Sequence, residues 1–425
     1  MEEVHEPVHD NLPSIEHTLR PISYTSWFMG VGIARPLKCP KYVTIVIRII
    51  HLVLCTAILI AYSEYLFTSY ISVYMFKYIL DWMSYVVSGY YYIYHGIRQY
   101  DKWPELMDKM MELDRKIRRE TYMNDQPVKN MEAIMILMTF ICCPVLMIMY
   151  SVYYYMFDYD IPTVTLLLYY MIAQSLIISF VFDIVVYVLY YRYQTINKLI
   201  SHLDNLSDAS LMALKIRHIR ELHNDICDNV IMINDIHGLH LLLCSANCFC
   251  IVATSLFNVY LRIEKEDYQS ILIYNMESII YFMQFGLICW ICTLARQEFD
   301  KTKIIICRIG LKCKSVNFDK LNDVRNQLSL EVRPPLEDAD SGQNSNWSNN
   351  HDWNYVVTEN LLGKILDRDH VRNEINDFLI QLQQRQVSFT ACNFFEINNN
   401  LFCGFVGVIF TYIIVLIQFK HSDNV

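Results

Sequence analysis

The chain has few residues that interrupt helices: its 425 residues include 11 glycines and 11 prolines. That scarcity, with no visible internal repeat, leaves little room for the paired broken helices of a secondary transporter. No HExxH, GxSxG or Walker loop occurs, so no enzyme class is indicated. The opening MEEVHEPVHD is acidic where a signal peptide needs a positive n-region. The formal charge is −9, and no basic face stands apart from the apolar blocks, so nucleic-acid binding is not expected. The 14 cysteines do not form a disulfide scaffold, because most lie inside apolar blocks, where free cysteine packs as a small hydrophobe. Cys289 and Cys292 have CxxC spacing without polar surroundings, and His237 and His240 have no third ligand nearby. No metal, cofactor or catalytic residue is expected.

What the chain does have is apolar residues in long blocks, 54% of the total. Seven blocks approach the length of a membrane helix: Val43–Phe67, Ile71–Tyr94, Ile134–Phe157, Thr163–Tyr191, Ile236–Leu261, Ile271–Ala295 and Leu401–Phe419. They are continuous, without period-two alternation, so they are helices and not strands of a barrel. Arginine and lysine crowd alternate connections, including Arg98–Lys129, Arg192–Arg220 and Arg296–Arg308, while SEYLFTSY, DYDIP and EKEDYQ carry almost none. The asymmetry predicts a cytosolic N-terminus and, after seven spans, an extracellular C-terminus. The expected fold is all-α, with seven transmembrane helices and a cytosolic helical anchor bundle. Three amphipathic stretches supply that bundle, through Leu106–Ile117, Ile216–Ile233 and Val371–Leu382; membrane-surface helices are the alternative. The expected domains are residues 1–42 (cytosolic), 43–295 (spans one to six), 296–398 (anchor, with a polar disordered insert near 334–354) and 399–425 (last helix and tail). Sequons at Asn205 and Asn346 fall on the cytosolic side and are not expected to carry glycan.

Ionisable residues within spans mark function or private pairs. Arg48, His51, Asp183 and Glu277 are such residues, and Lys77 with Asp81 forms a possible i,i+4 pair. The outer halves of the spans are rich in tyrosine and amides. Trp82, Tyr150, Tyr154, Tyr170, Gln174, Asn258, Tyr274, Glu277 and Tyr281 are the candidates for a small-ligand pocket. An aromatic belt at the headgroup level accounts for part of the same tyrosine content.

The last block ends TYIIVLIQFK, where Gly404, Gly407, Thr411 and Gln418 fall on one helical stripe. Such a face packs closely on another helix or lines water. The amide of Gln418 favours water, and Phe419 beside it could close a pore by dewetting.

At this stretch the sequence resembles the insect gustatory receptor family. Thr411, Tyr412, the apolar Ile413–Ile417, Gln418 and Phe419 match the family's closing motif without a gap. FTACNFFEINNNLF (Phe389–Phe402) is similar to the approach to that helix, with Asn393 where glycine is common, and RYQTINKL (Arg192–Leu199) resembles the family's second cytosolic loop. The resemblance implies a tastant-gated, non-selective cation channel of the plasma membrane. It implies a homotetramer, or a heterotetramer with other gustatory receptors, whose last helices line the pore. Gln418 and Phe419 would then be the gate, with Thr411 and Tyr412 in the pore helix and Gly404 and Gly407 for packing. The tastant would be a sugar or another small neutral or bitter compound. A G-protein-coupled receptor lacks support, because neither an Asp/Glu-Arg-Tyr triplet nor Asn-Pro-x-x-Tyr is present. An odorant receptor shares the channel design, and the Gln-Phe ending argues against it.

Overall fold

The computed structural model describes the backbone of residues 15–37, 39–69, 79, 82–84, 86–156, 163–203, 208–264, 268–330 and 369–423. Within these the chain is helical. The helices are α1 (Ile15–Thr18), α2 (Arg20–Phe28), α3 (Lys41–Ser69), α4 (Tyr92–Arg98, entered through a π-helical turn at Val87–Tyr91), α5 (Lys102–Glu120), α6 (Gln126–Met156), α7 (Thr163–Leu203), α8 (Ala209–Glu264), α9 (Tyr268–Leu330), α10 (residues 369–384) and α11 (Asn399–Asp423). A two-stranded hairpin, β1 (Thr390–Ala391) with β2 (Phe395–Glu396), precedes α11. Five described helices (α3, α6, α7, α8 and α9) are long and apolar enough to cross a membrane, and α11 contributes a shorter apolar stretch, Asn399–Val415. Most of the expected second span, with Lys77 and Asp81, lies outside the described residues, as do the 334–354 insert, Asn205 and Asn346.

The amphipathic stretch Ile216–Ile233 is not a separate helix. It continues into the apolar block as the 56-residue α8, and the block from Ile271 continues as the 63-residue α9. No proline lies in either helix, so nothing stops the i→i−4 ladder where the apolar face narrows to a stripe. The chain divides into two compact units.

The first unit comprises Met1–Arg192, Ile226–Arg296 and Val387–Val425. Its central helix is α7, whose most apolar stretch is 94% buried, against 28% in α3 and 22% in α6. Those two present their large side chains outward, among them Ile50, Val53, Ile134 and Ile148, as lipid-facing helices do. The N-terminal segment folds back onto the same core. Gly30 has φ +70°, and a Cβ there would stand 2.2 Å from the His51 ring, so only glycine passes. Three buried histidines cluster beside α7: His95, His237 and His240 have ring centroids 5.7–6.1 Å apart. His95 reaches the Ile236 carbonyl at 2.8 Å, and Phe182 covers His237.

Arg192 at the foot of the core is 1% exposed and carries a charge that burial penalises. Its Nε and Nη2 donate to Asp114 at 2.7 and 2.9 Å, and its Nη1 donates to Asp125 at 3.0 Å. Arg118 pairs with the other Asp125 oxygen at 2.5 Å. Two cations meet two carboxylates, so no charge is left unbalanced. Burial pushes the Asp114 carboxyl up from its ordinary value, and Arg192 opposes that shift.

The second unit comprises Tyr193–Asp225 and Gln297–Gln386. Its core joins Ile216, Ile219 and Leu222 of α8 to Val371, Ile375, Phe378 and Leu382 of α10. His223 packs among the rings of Tyr193, Phe299 and Phe378. Arg220 pairs with Glu374 and Asp377, at 3.3 and 3.0 Å. Asn197 bridges two turns of α9, donating to the Glu298 carbonyl at 2.8 Å and accepting from Thr302 at 2.6 Å. These contacts give the RYQTINKL stretch a structural role.

Candidate pore helix and ligand-binding interior

The last helix is held at its start by side chains distant in sequence. Asn234 of α8 donates to the Ser388 carbonyl at 2.8 Å and accepts from the Thr390 amide at 3.2 Å. The hairpin turn places Cys392 and Asn393 in the left-handed region, at φ 51° and 61°. Asparagine tolerates that region better than most residues, which explains an asparagine at a position where glycine would serve. Glu396 pairs with Arg296. Asn398 caps α11 by accepting from the Leu401 amide at 2.9 Å, and Thr293 of α9 accepts from the Asn399 amide at 3.0 Å.

From this anchor α11 has two unlike faces. Phe402 and Phe405 pack on Phe282 and Phe285 of α9, with centroids 4.8 and 4.6 Å apart. Phe249 of α8 meets Phe405 and Tyr412, each at 6.1 Å. The opposite face holds Cys403, Gly404, Gly407, Val408, Thr411, Ile414, Val415 and Gln418, all exposed. A Cβ added at Gly404 or Gly407 would meet nothing within 4 Å. Thr411 donates to the Gly407 carbonyl of its own helix at 3.0 Å, so its hydrogen is used locally. Gln418 has no such neighbour and no hydrogen bond among the described residues. The side chain of Phe419 lies outside the described set.

The pocket candidates separate into groups. Gln174 is fully buried, and its Nε2 donates to the Met29 carbonyl at 2.9 Å and to the Tyr170 hydroxyl at 2.8 Å. Cys55 donates to its Oε1 at 3.6 Å, and the Tyr170 hydroxyl pairs with His51 Nδ1. These two candidates therefore bind the returning N-terminal segment. Tyr281 is 1% exposed, Asn258 is buried, and Glu277 and Tyr274 are half-buried, with Glu277 accepting from Ser255 at 3.5 Å. Tyr150 stacks edge-on against Tyr169 at 5.8 Å. Trp82 is half-buried, with its Nε1 unpaired among the described residues. The side chain of Tyr154 lies outside them.

Sequence reasoning missed Gln284. It sits one turn from Tyr281 and is 1% exposed; its Nε2 donates to Ser179 at 2.6 Å and to the Ser175 carbonyl at 3.1 Å. Its Oε1 has no donor among the described residues, and the residue lines an otherwise apolar cavity of about 420 Å³ that also touches Phe402 of α11. A glutamine at a position otherwise like its apolar neighbours was the available signal. Among the described residues no three of histidine, cysteine, aspartate and glutamate are placed to hold a metal ion.

The model of a family described as 7tm Chemosensory receptor matches residues 19–326 and 358–423. No curated protein matches the sequence. Among solved structures, the insect olfactory receptor OR5 from Machilis hrabei is similar with a TM-score of 0.63 at 13% identity, covering 95% of this chain and 98% of that one. The same receptor in complex with eugenol is similar with a TM-score of 0.60 at 12% identity, over 95% and 98% of the two chains. At such identity the likeness is one of fold.

Proposed function

The chain belongs to the 7tm chemosensory receptor family, a family of multi-pass membrane receptors and not of enzymes, and on that premise we propose that it is a gustatory receptor, a tastant-gated non-selective cation channel of the plasma membrane. Four subunits, this chain alone or with other gustatory receptors, surround a central pathway, with N-termini in the cytosol and C-termini outside. The observation that carries the reading is the divided surface of α11: its aromatic face is spent on its own subunit, and its Gly404–Gly407–Thr411–Gln418 face is left over. In lipid an unpaired amide is costly. At a four-fold axis water hydrates it, and the glycines allow close approach of neighbouring helices. Gln418 and Phe419 form the gate, and Thr411 and Tyr412 belong to the same pore-lining turns.

The ligand is a small neutral compound, a sugar or another polyol or a bitter aromatic, held among Trp82, Tyr150, Tyr154, Asn258, Tyr274, Glu277 and Tyr281. Tyr170 and Gln174 form the pocket's floor, since their polar atoms hold Met29 and His51. The fold likeness to an olfactory receptor, solved in one case with eugenol, keeps small volatile aromatics within the ligand panel. The Gln418-Phe419 ending favours taste.

The test is expression of the chain in cells lacking G-protein signalling, with currents recorded against sugars, polyols, amino acids, alkaloids and volatile aromatics. A ligand-evoked cation current is expected, and Gln418→Ala is expected to alter gating or selectivity with surface delivery kept. Surface-delivered wild-type receptor that answers only through a G protein contradicts the channel reading.

A further inference from the structure

Two arginines of the N-terminal region are buried without a counter-charge among the described residues. Arg35 is 6% exposed, its Nε has no hydrogen-bond partner, and its guanidinium lies 3.9 Å from the centre of the Tyr100 ring. Arg48 is 1% exposed; its Nη2 donates to the Gly32 carbonyl at 2.8 Å, and its Nε and Nη1 are unpaired. Among the described residues neither forms an ion pair. The contrast with Arg192, which has carboxylates on both sides, is sharp within the same unit. A carbonyl and an aromatic face offset part of the cost of burying a guanidinium, and an anion would offset the rest.

Arg35 also lines a cavity of about 280 Å³ that opens at the surface. Its polar walls are Glu16 and His17 of α1, Arg20, Ser23 and Tyr24 of α2, and Arg35, over a floor that includes Trp103. Arg20 is exposed, donates to the Tyr24 hydroxyl at 3.4 Å and forms no ion pair among the described residues. Glu16 is the one carboxylate among the wall residues; its charge attracts Arg20 one turn along, but it forms an ion pair with neither arginine among the described residues. The walls therefore carry an excess of positive charge, with two planar donor forks and a hydroxyl. That set matches a phosphate group and not a neutral solute. The cavity stands at a membrane boundary, because its residue Leu37 precedes by four positions the start of the apolar α3 at Lys41.

We propose that this cavity is a binding site for a phosphate-bearing anion, with Arg20 and Arg35 as its ligands and Arg48 reinforcing the field behind Arg35. A phospholipid headgroup of the adjoining leaflet and a free cytosolic phosphate ester share this chemistry. Either anion ties α1 and α2 to the loop that enters α3. That loop also carries Met29, whose carbonyl Gln174 holds. Occupancy thus bears on the interior through the N-terminal segment. The proposal is independent of the channel reading, since binding can be measured on purified receptor without current.

The experiment uses full-length receptor in detergent with a fluorescent short-chain phosphatidylinositol 4,5-bisphosphate, short-chain phosphatidylcholine as the neutral control and free inositol trisphosphate as competitor. Saturable, salt-sensitive binding of the phosphoinositide and none of the neutral lipid is expected. Arg20→Gln, at an exposed position, weakens binding roughly tenfold, the scale of one lost charge-assisted contact. Arg35→Lys weakens it further, Glu16→Gln tightens it, and Arg217→Gln, on the other unit, leaves it unchanged. Displacement by free inositol trisphosphate at equal concentration supports the site and assigns it to phosphate alone. Failure of that displacement, with the lipid still dependent on Arg20, supports the site and assigns it to lipid. Equal affinity in wild type and Arg20→Gln, or a loss in Arg217→Gln as large as that in Arg20→Gln, overturns the proposal.

Discussion

Gln174 and Gln418 are the same side chain in two apolar helices, and they differ in where their partners lie. Gln174, in the central α7, finds a carbonyl, a hydroxyl and a thiol within its own chain. Gln418, near the end of α11, is exposed and finds none among the described residues. Two other interior groups of the first unit follow the first pattern: the Gln284 amide nitrogen is held by Ser175 and Ser179, and Arg192 by Asp114 and Asp125, whereas Arg35 and Arg48 are left without a carboxylate among the described residues. The amide of Gln418, by contrast, has no partner among the described residues, and water along a shared axis is the partner proposed here.

Breaking a closed network should have the largest effect. Arg192→Ala leaves Asp114 and Asp125 buried with Arg118 alone, and should cost about 3–5 kcal/mol, read as a lower melting temperature and lost monodisperse yield. Gln174→Leu leaves the Met29 carbonyl and the Tyr170 hydroxyl short of a donor, at about 1–3 kcal/mol, read the same way. Gly286→Val is intermediate: a Cβ there already stands 3.3 Å from the Phe402 ring, and the larger side chain should cost about 1–3 kcal/mol and shift ligand-evoked gating. The smallest effect on stability belongs to the open face. Gln418→Leu should move unfolding by no more than about 0.5 kcal/mol while changing conductance or selectivity. A melting shift in Gln418→Leu as large as that in Gln174→Leu would erase the distinction.

Much of this was legible in the sequence. Continuous apolar blocks gave helices, and the period of Gly404, Gly407, Thr411 and Gln418 placed them on one face. The amphipathic stripes of Ile216–Leu222 and Val371–Leu382 identified residues that are buried in the second unit. What failed to show has physical causes. The continuity of α8 and α9 was hidden because a change from apolar to amphipathic composition looks like a boundary, although only a broken hydrogen-bond ladder makes one. The engagement of Gln174 with Met29 joins residues 145 apart in sequence, and no local pattern encodes it. The histidine cluster is similar: His237 and His240 share a helix, and His95 reaches them only through tertiary packing. Asn393 was visible as an exception to a glycine position, and its left-handed backbone supplies the reason.

The central claim is tested most directly by water access to Gln418. In a Cys403→Ser background, which removes the exposed native thiol of α11, Gln418→Cys is treated from outside with a charged methanethiosulfonate while ligand-evoked current is recorded. Rapid modification that blocks or reshapes the current is the predicted result. An introduced thiol that stays unmodified in open receptors, or is modified with the current unchanged, contradicts a pore at that face.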